Sequence, residues 1–202
     1  MKKIIVSLLL IITALGASAE FRWGPTAGLN ISTYNFNQDL ITVSSSPGFD
    51  VGVMGELMIP GIGFGVDLGL NYSMYGAKLN LGEKTVWASD GFGNEQSYLH
   101  SIHIPISLKF KYTRLNGIER YIAPFVYAGP VFSIIASHNK LDALEYSGGS
   151  VMLQCGVGGE IFEKFQISAG YYWGMTYELK TIKLDNFSAR PQGWTVKLTY
   201  LF

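Results

Sequence analysis

The chain alternates. Between residues 62 and 74, Ile62, Phe64, Val66, Leu68, Leu70, Tyr72 and Met74 are separated by Gly63, Gly65, Asp67, Gly69, Asn71 and Ser73. Successive side chains of a β-strand point to opposite faces, so a period of two means a strand with one apolar and one polar face. The pattern recurs in eight segments: 21–32, 48–59, 62–75, 98–113, 121–135, 149–162, 165–179 and 193–202. The fifth is the least regular. Pro124 and Pro130 lie inside it and remove ladder donors, which predicts a bulge or a distorted ladder.

The links between segments also alternate. Those near 33–47, 76–97, 136–148 and 180–192 are long, and those at 60–61, 114–120 and 163–164 are shorter. Transmembrane barrels have short periplasmic turns and longer extracellular loops. The predicted fold is therefore all-β: an eight-stranded antiparallel up-and-down transmembrane β-barrel. One barrel domain over residues 20–202 accounts for everything after the leader.

That leader is residues 1–19. Lys2 and Lys3 precede an apolar run from 4 to 16, and Ala17-Ser18-Ala19 is a small-residue cleavage pattern. This is the anatomy of a secretory signal peptide. The run is too short for a spanning helix, which needs roughly 20 apolar residues. Without Lys2 and Lys3, 13 basic residues face 15 acidic ones, a formal charge of −2. That balance points away from nucleic acid.

Charged residues make up only 15% of the chain, against about a quarter in soluble domains. A soluble barrel would lack charge to cover its outside. The second face is mostly small and polar, which suits the interior of a narrow barrel. Aromatic residues of the apolar face crowd the strand ends, among them Trp23, Phe64, Phe110, Tyr72 and Trp194, as in interfacial girdles. The apolar face is predicted to meet lipid in the cell outer membrane.

Counting from the strand ends, the inward charges fall at the periplasmic end. Arg22, Glu56, Lys109, Glu160 and Lys197 are predicted to form a cluster that plugs the lumen, with Asp67 just above. Buried charges must be paired to be tolerated. An ion path is the other reading of such residues, but an eight-stranded lumen is just filled by side chains.

Chemistry-bearing motifs are sparse. Ser101 and His103 sit two apart on one inward strand face, the spacing of a serine–histidine pair in some lipid-modifying barrels, with no partnered acid evident. Interior polar packing explains them more simply, and no catalytic residue is assigned. His100 has outward parity and His138 falls in a loop. Three scattered histidines do not form a metal site. Cys155 has no disulfide partner and reads as a small hydrophobe. The GVGGE run lies in a strand pattern, where glycine makes room for neighbours, and is no phosphate loop. Trp87, Asp90, Phe92 and Glu95 lie in the loop 85–97, which is either a partner- or glycan-binding loop or simply mobile. No cofactor is expected.

The segments YLHSIHIPISLKFKY (98–112), YIAPFVYAGPVFS (121–133) and CGVGGEI (155–161) resemble the PorT-like outer-membrane β-barrel family of Bacteroidetes type. The terminal GWTVKLTYLF (193–202) is similar to the signal read by barrel assembly machinery. The resemblance implies the same fold and membrane, and a link to type IX secretion or gliding machinery for some members. The leading expectation is a non-enzymatic envelope component, accessory subunit or loop-presenting protein with a plugged lumen. Its expected partners are outer-membrane lipids and other outer-membrane or secretion proteins. The alternatives are a PorT-type secretion component, a small lipid-modifying enzyme and a narrow pore.

Overall fold

The computed structural model describes residues 20–38, 40–59, 61–112, 121–139, 141, 143–182 and 187–202. Residues 1–19, predicted to be a leader, Pro60 and the link 114–120 lie outside them. Eight long antiparallel strands follow the chain: β1 (Glu20–Phe36), β2 (Val43–Met58), β3 (Phe64–Asn80), β4 (Asn94–Lys111), β5 (Ile122–His138), β7 (Gly149–Ile161), β8 (Phe165–Gly174) and β10 (Ser188–Tyr200). Each pairs with the next, and β10 pairs back onto β1, so the sheet closes. Two short strands, β6 (Leu144–Tyr146) and β9 (Leu179–Thr181), extend β10 at the extracellular end.

The stagger is fixed by the register. From Thr26, the pairs through Gly52, Asn71, His103 and Ser133 lead to Ser150 of β7. The other way round, Thr199 and Gln166 lead to Glu160 of the same strand. The two routes meet β7 ten residues apart, which tilts the strands by about 40°. The seam between β1 and the end of β10 is close: a Cβ on Gly24 would lie 1.6 Å from the Tyr200 carbonyl oxygen. Gly61 and Gly63 take positive φ, 78° and 79°, in the tight turn into β3, conformations that glycine adopts without steric cost.

The orientation of the faces follows from chain neighbours. Leu29, Leu108 and Trp194 are 72%, 70% and 63% exposed, while Asn30, Ser107 and Thr195 are buried. Apolar residues face out and small polar residues face in, the inverse of a soluble barrel.

Several boundaries differ from the sequence reading. β1 and β3 run on to Phe36 and Asn80, β2 and β4 start earlier at Val43 and Asn94, β5 runs on to His138, and β10 starts at Ser188. In the extensions of β1 and β3 the inward parity continues but turns apolar, as at Tyr34, Phe36, Tyr75, Ala77 and Leu79. The outward apolar stripe stops while the strand goes on. β8 is shorter than expected and ends at Gly174. Leu179, expected on the lipid face, lies in β9 and is buried. β5 is one continuous strand despite its prolines. Its ladder with β4 lapses beside Pro130, between Val131 and Ala128, and shifts register at His100/Ser101.

Candidate functional site: the closed lumen

The lumen is filled in three layers. The lowest is ionic. Glu56 of β2 accepts from Arg22 of β1, from Lys109 Nζ at 2.8 Å and from Lys111 Nζ at 2.9 Å, both on β4. Glu160 of β7 accepts from Arg22 Nη2 at 2.8 Å and Lys111 Nζ at 2.6 Å. Lys109 also meets Asp67 Oδ2 at 2.6 Å. Gln166 of β8 donates to Glu56 and Glu160, each at 2.7 Å, and accepts from Lys109 at 2.9 Å. Three cations thus face three carboxylates. Their hydrogen bonds cross the lumen from β1 to β7 and from β2 to β4 and β8, so the layer ties strands that are not neighbours in the sheet.

Five of the six residues singled out in the sequence meet here: Arg22, Glu56, Asp67, Lys109 and Glu160. Lys197 does not. It pairs in register with Gly28, six residues along β1 from Arg22. Among the described residues it forms no ion pair, and it borders two water-sized cavities of about 50 and 20 Å³. Counting residues from the chain end put it too low, because the stagger sets strand ends at different heights. Lys111 is the member the sequence reading left out of the cluster. Its signal was present: it shares the inward parity of Lys109, two residues on.

The middle layer is neutral and polar apart from Asp50 and Lys197. Asn30 Nδ2 donates to Asp50 Oδ2 at 3.1 Å, and His103 Nδ1 lies 3.9 Å from Asp50 Oδ1. Asp50 is thus an acid near His103 that the sequence did not reveal. Ser101 and His103 are both buried, and no hydrogen bond joins them among the described residues. A serine nucleophile needs its base within hydrogen-bond reach and a path for substrate. These side chains have neither, since the layers above and below enclose them. His100 faces outward, within 2.6 Å of the Tyr72 hydroxyl. His138 is the last residue of β5, stacked on Tyr146 at 4.0 Å, rather than in a loop. Among the described residues no group of histidine, cysteine or acidic side chains is arranged to hold a metal.

The top layer is apolar. The short helix α1 (Thr85–Ala88) drops Trp87 into the mouth, where it is completely buried. Trp87 packs on Phe187 at 5.9 Å, and Phe187 stacks on Phe36 at 4.5 Å. Leu79, Leu81, Leu99, Leu144 and Leu179 complete the cap. The loop aromatics Trp87 and Phe92, read from the sequence as candidates for binding a partner or glycan, are turned inward to seal the barrel. Glu83 ties this loop to its neighbour, accepting from the Thr42 amide at 2.9 Å and from Asn80 at 2.8 Å. The Thr42 bond holds the Glu83 carboxyl below its ordinary pKa.

Beneath the cap sits Glu178, past the end of β8 on the extracellular side. Its carboxyl accepts from Tyr75, from Ser150 at 2.9 Å and from Tyr34 at 3.3 Å. All three donors are hydroxyls, and no cation pairs with it among the described residues. Burial pushes its pKa up to about 7, because desolvation penalises the charged form more than three neutral donors favour it.

A closed eight-stranded sheet with a lipid-facing exterior and a filled interior defines an integral outer-membrane β-barrel protein. Residues 16–180 match the family model "Outer membrane protein beta-barrel domain", and the chain belongs to that family. Comparison with curated proteins returns no match. Among solved structures, OprG from Pseudomonas aeruginosa is similar, with a TM-score of 0.56 at 10% identity over 92% of this chain and 96% of that one. Ail of Yersinia pestis aligns at a TM-score of 0.49 and 13% identity, covering 91% and 99%. The outer membrane enzyme PagL aligns at 0.44 and 10%, covering 84% and 97%. At such identities the likeness to OprG speaks for the fold alone.

Proposed function

We propose that this protein is a sealed, non-enzymatic barrel of the outer membrane whose task is to present its extracellular end. The observation that carries this reading is the double closure of the lumen, ionic at the periplasmic end and apolar at the extracellular end. A pore would need a hydrated path, and among the described residues the cavities found between the closures measure about 50 and 20 Å³, room for a few waters. An enzyme acting on lipid would need its serine and histidine within reach of the bilayer, and Ser101 and His103 face inward. A secretion-machinery role of PorT type rests on the strand motifs alone.

Planar-bilayer recording of the refolded barrel is the test. Silence is expected, and discrete conductance steps would refute the sealed reading. Ser101→Ala and His103→Ala variants are expected to leave membrane lipid A unchanged in mass. Trypsin on intact cells is expected to cut the extracellular loops. Full resistance would point instead to a subunit buried in an assembly.

A further inference from the structure

The lipid face is not uniform around the barrel. Across β8, β10 and β1 the register sets three rows above one another on the outside. The lowest is Tyr171, Trp194 and Ile31, with the Tyr171 and Trp194 rings 5.0 Å apart. The next is Trp173, Gln192 and Thr33. The third pairs Arg190 with Asn35, and Tyr177 stands beside Arg190. Over two strand steps the surface passes from aromatic to amide to cation. Arg190 is the first charge on the outward face of β10 above Leu198, Val196, Trp194 and Gln192.

Arg190 is also held in place. Its guanidinium lies 4.6 Å above the Tyr177 ring, and Nη2 donates to the Tyr177 hydroxyl at 3.4 Å. Stacking on an aromatic face orients a guanidinium and leaves its edge donors for an anion. Among the described residues it makes no ion pair. Lys180 of β9 lies opposite Ser188 of β10, and Glu145 of β6 lies opposite Lys180. Among the described residues these two charges offset one another and leave Arg190 as a positive charge. Its height, just beyond the apolar band on the extracellular side, is that of the outer-leaflet headgroups.

We propose that this face binds a phosphorylated, acylated diglucosamine glycolipid of the outer leaflet. The phosphate sits on Arg190, where a planar fork of donors matches its oxygens. The Asn35 and Gln192 amides meet the sugar hydroxyls. The sugar faces lie against Trp173 and Tyr177, and the acyl chains run down past Trp194 and Val196. The Gln192 and Asn35 amides argue for a sugar headgroup over a simple phospholipid, because they add directional donors and acceptors below and beside the cation.

The test is native mass spectrometry of the full mature barrel in detergent. Three lipids are offered: the phosphorylated glycolipid, the same glycolipid with its phosphates removed, and phosphatidylglycerol. Retention of the phosphorylated glycolipid is expected to exceed that of the other two by about tenfold, the scale of one charge-assisted contact. Arg190→Gln is expected to lose that advantage, and Arg190→Lys to keep only part of it. Lys78→Gln, a cation removed on β3, three strands from Arg190, is expected to bind as the parent does. All variants are first checked for heat-modifiable migration, and Tyr177→Ala replaces Arg190→Gln if the latter fails to fold. Undiminished retention by the Arg190 variant overturns the site. An equal loss in Lys78→Gln reduces it to general charge attraction and also overturns it. Equal retention of phosphatidylglycerol overturns the glycolipid assignment.

Discussion

The Lys111 ammonium lies 2.6 Å from the Glu160 carboxylate, joining β4 to β7 across the lumen while β5 stands between them in the wall. The bond is a strut inside the barrel, and Glu56 makes more such links than any other residue of the layer. Glu56→Gln leaves Arg22, Lys109 and Lys111 facing two carboxylates in place of three. Losing one partner of a buried ionic set costs about 3–5 kcal/mol. A fall of that size is expected in urea unfolding of the vesicle-refolded barrel. Lys197→Gln, by contrast, is expected to cost under about 1 kcal/mol, and a larger loss there would contradict the placement of Lys197 outside the cluster.

The apolar cap makes a separate prediction. Trp87→Ala removes the largest fully buried side chain of the upper layer and is expected to cost about 3–5 kcal/mol locally. The loss should appear as faster protease cutting of the extracellular loops. The membrane-embedded strands should keep their heat-modifiable migration, since none of their lipid-facing contacts involves Trp87.

Glu178 predicts a pH dependence of known sign. Its pKa in the folded barrel, about 7, lies above that of an unfolded glutamate. Protonation therefore favours the folded cap. The stabilisation is fully present below the ordinary carboxylate range and is lost as pH rises toward and through 7. Hydrogen exchange of amides beside Tyr34 and Tyr75, corrected for intrinsic rates, is expected to be slower at pH 5 than at pH 8. Glu178→Gln should flatten the difference, and a persisting slope would assign it to another group.

Closing the barrel depends on Gly24. An alanine methyl there would overlap the Tyr200 carbonyl and force β1 and β10 apart. Gly24→Ala is expected to destabilise the barrel by roughly 2 kcal/mol or more and to slow its refolding into vesicles.

The spanning part of this fold was legible in the sequence because the bilayer imposes a simple rule. Ile62 to Met74 alternate without a break, and that regularity gave the strand, its faces and its membrane. The extracellular extension was hidden because the rule reverses there. Tyr75, Ala77 and Leu79 keep the inward parity of Asp67 and Asn71 but change its chemistry, so a search for the apolar stripe stops at Met74. The ionic layer was readable by parity, and Lys111 was equally visible beside Lys109. Lys197 was misplaced because height in a staggered barrel is set by partners around the ring, which a linear count ignores. Trp87 read as a surface aromatic because nothing local marks a loop that folds back into a mouth.

The change of chemistry at Tyr75 bears on how faithfully the chain can assemble. A slip of β3 by one position would push Asp67 and Asn71 into lipid and Val66 into the ionic interior. In the same movement it would carry Tyr75 and Leu79 out of the cap and Lys78 into it. Side-chain direction reverses with each residue of slip, so a single error is penalised in two different solvents at once. The half of the strand outside the bilayer therefore proofreads the half within it.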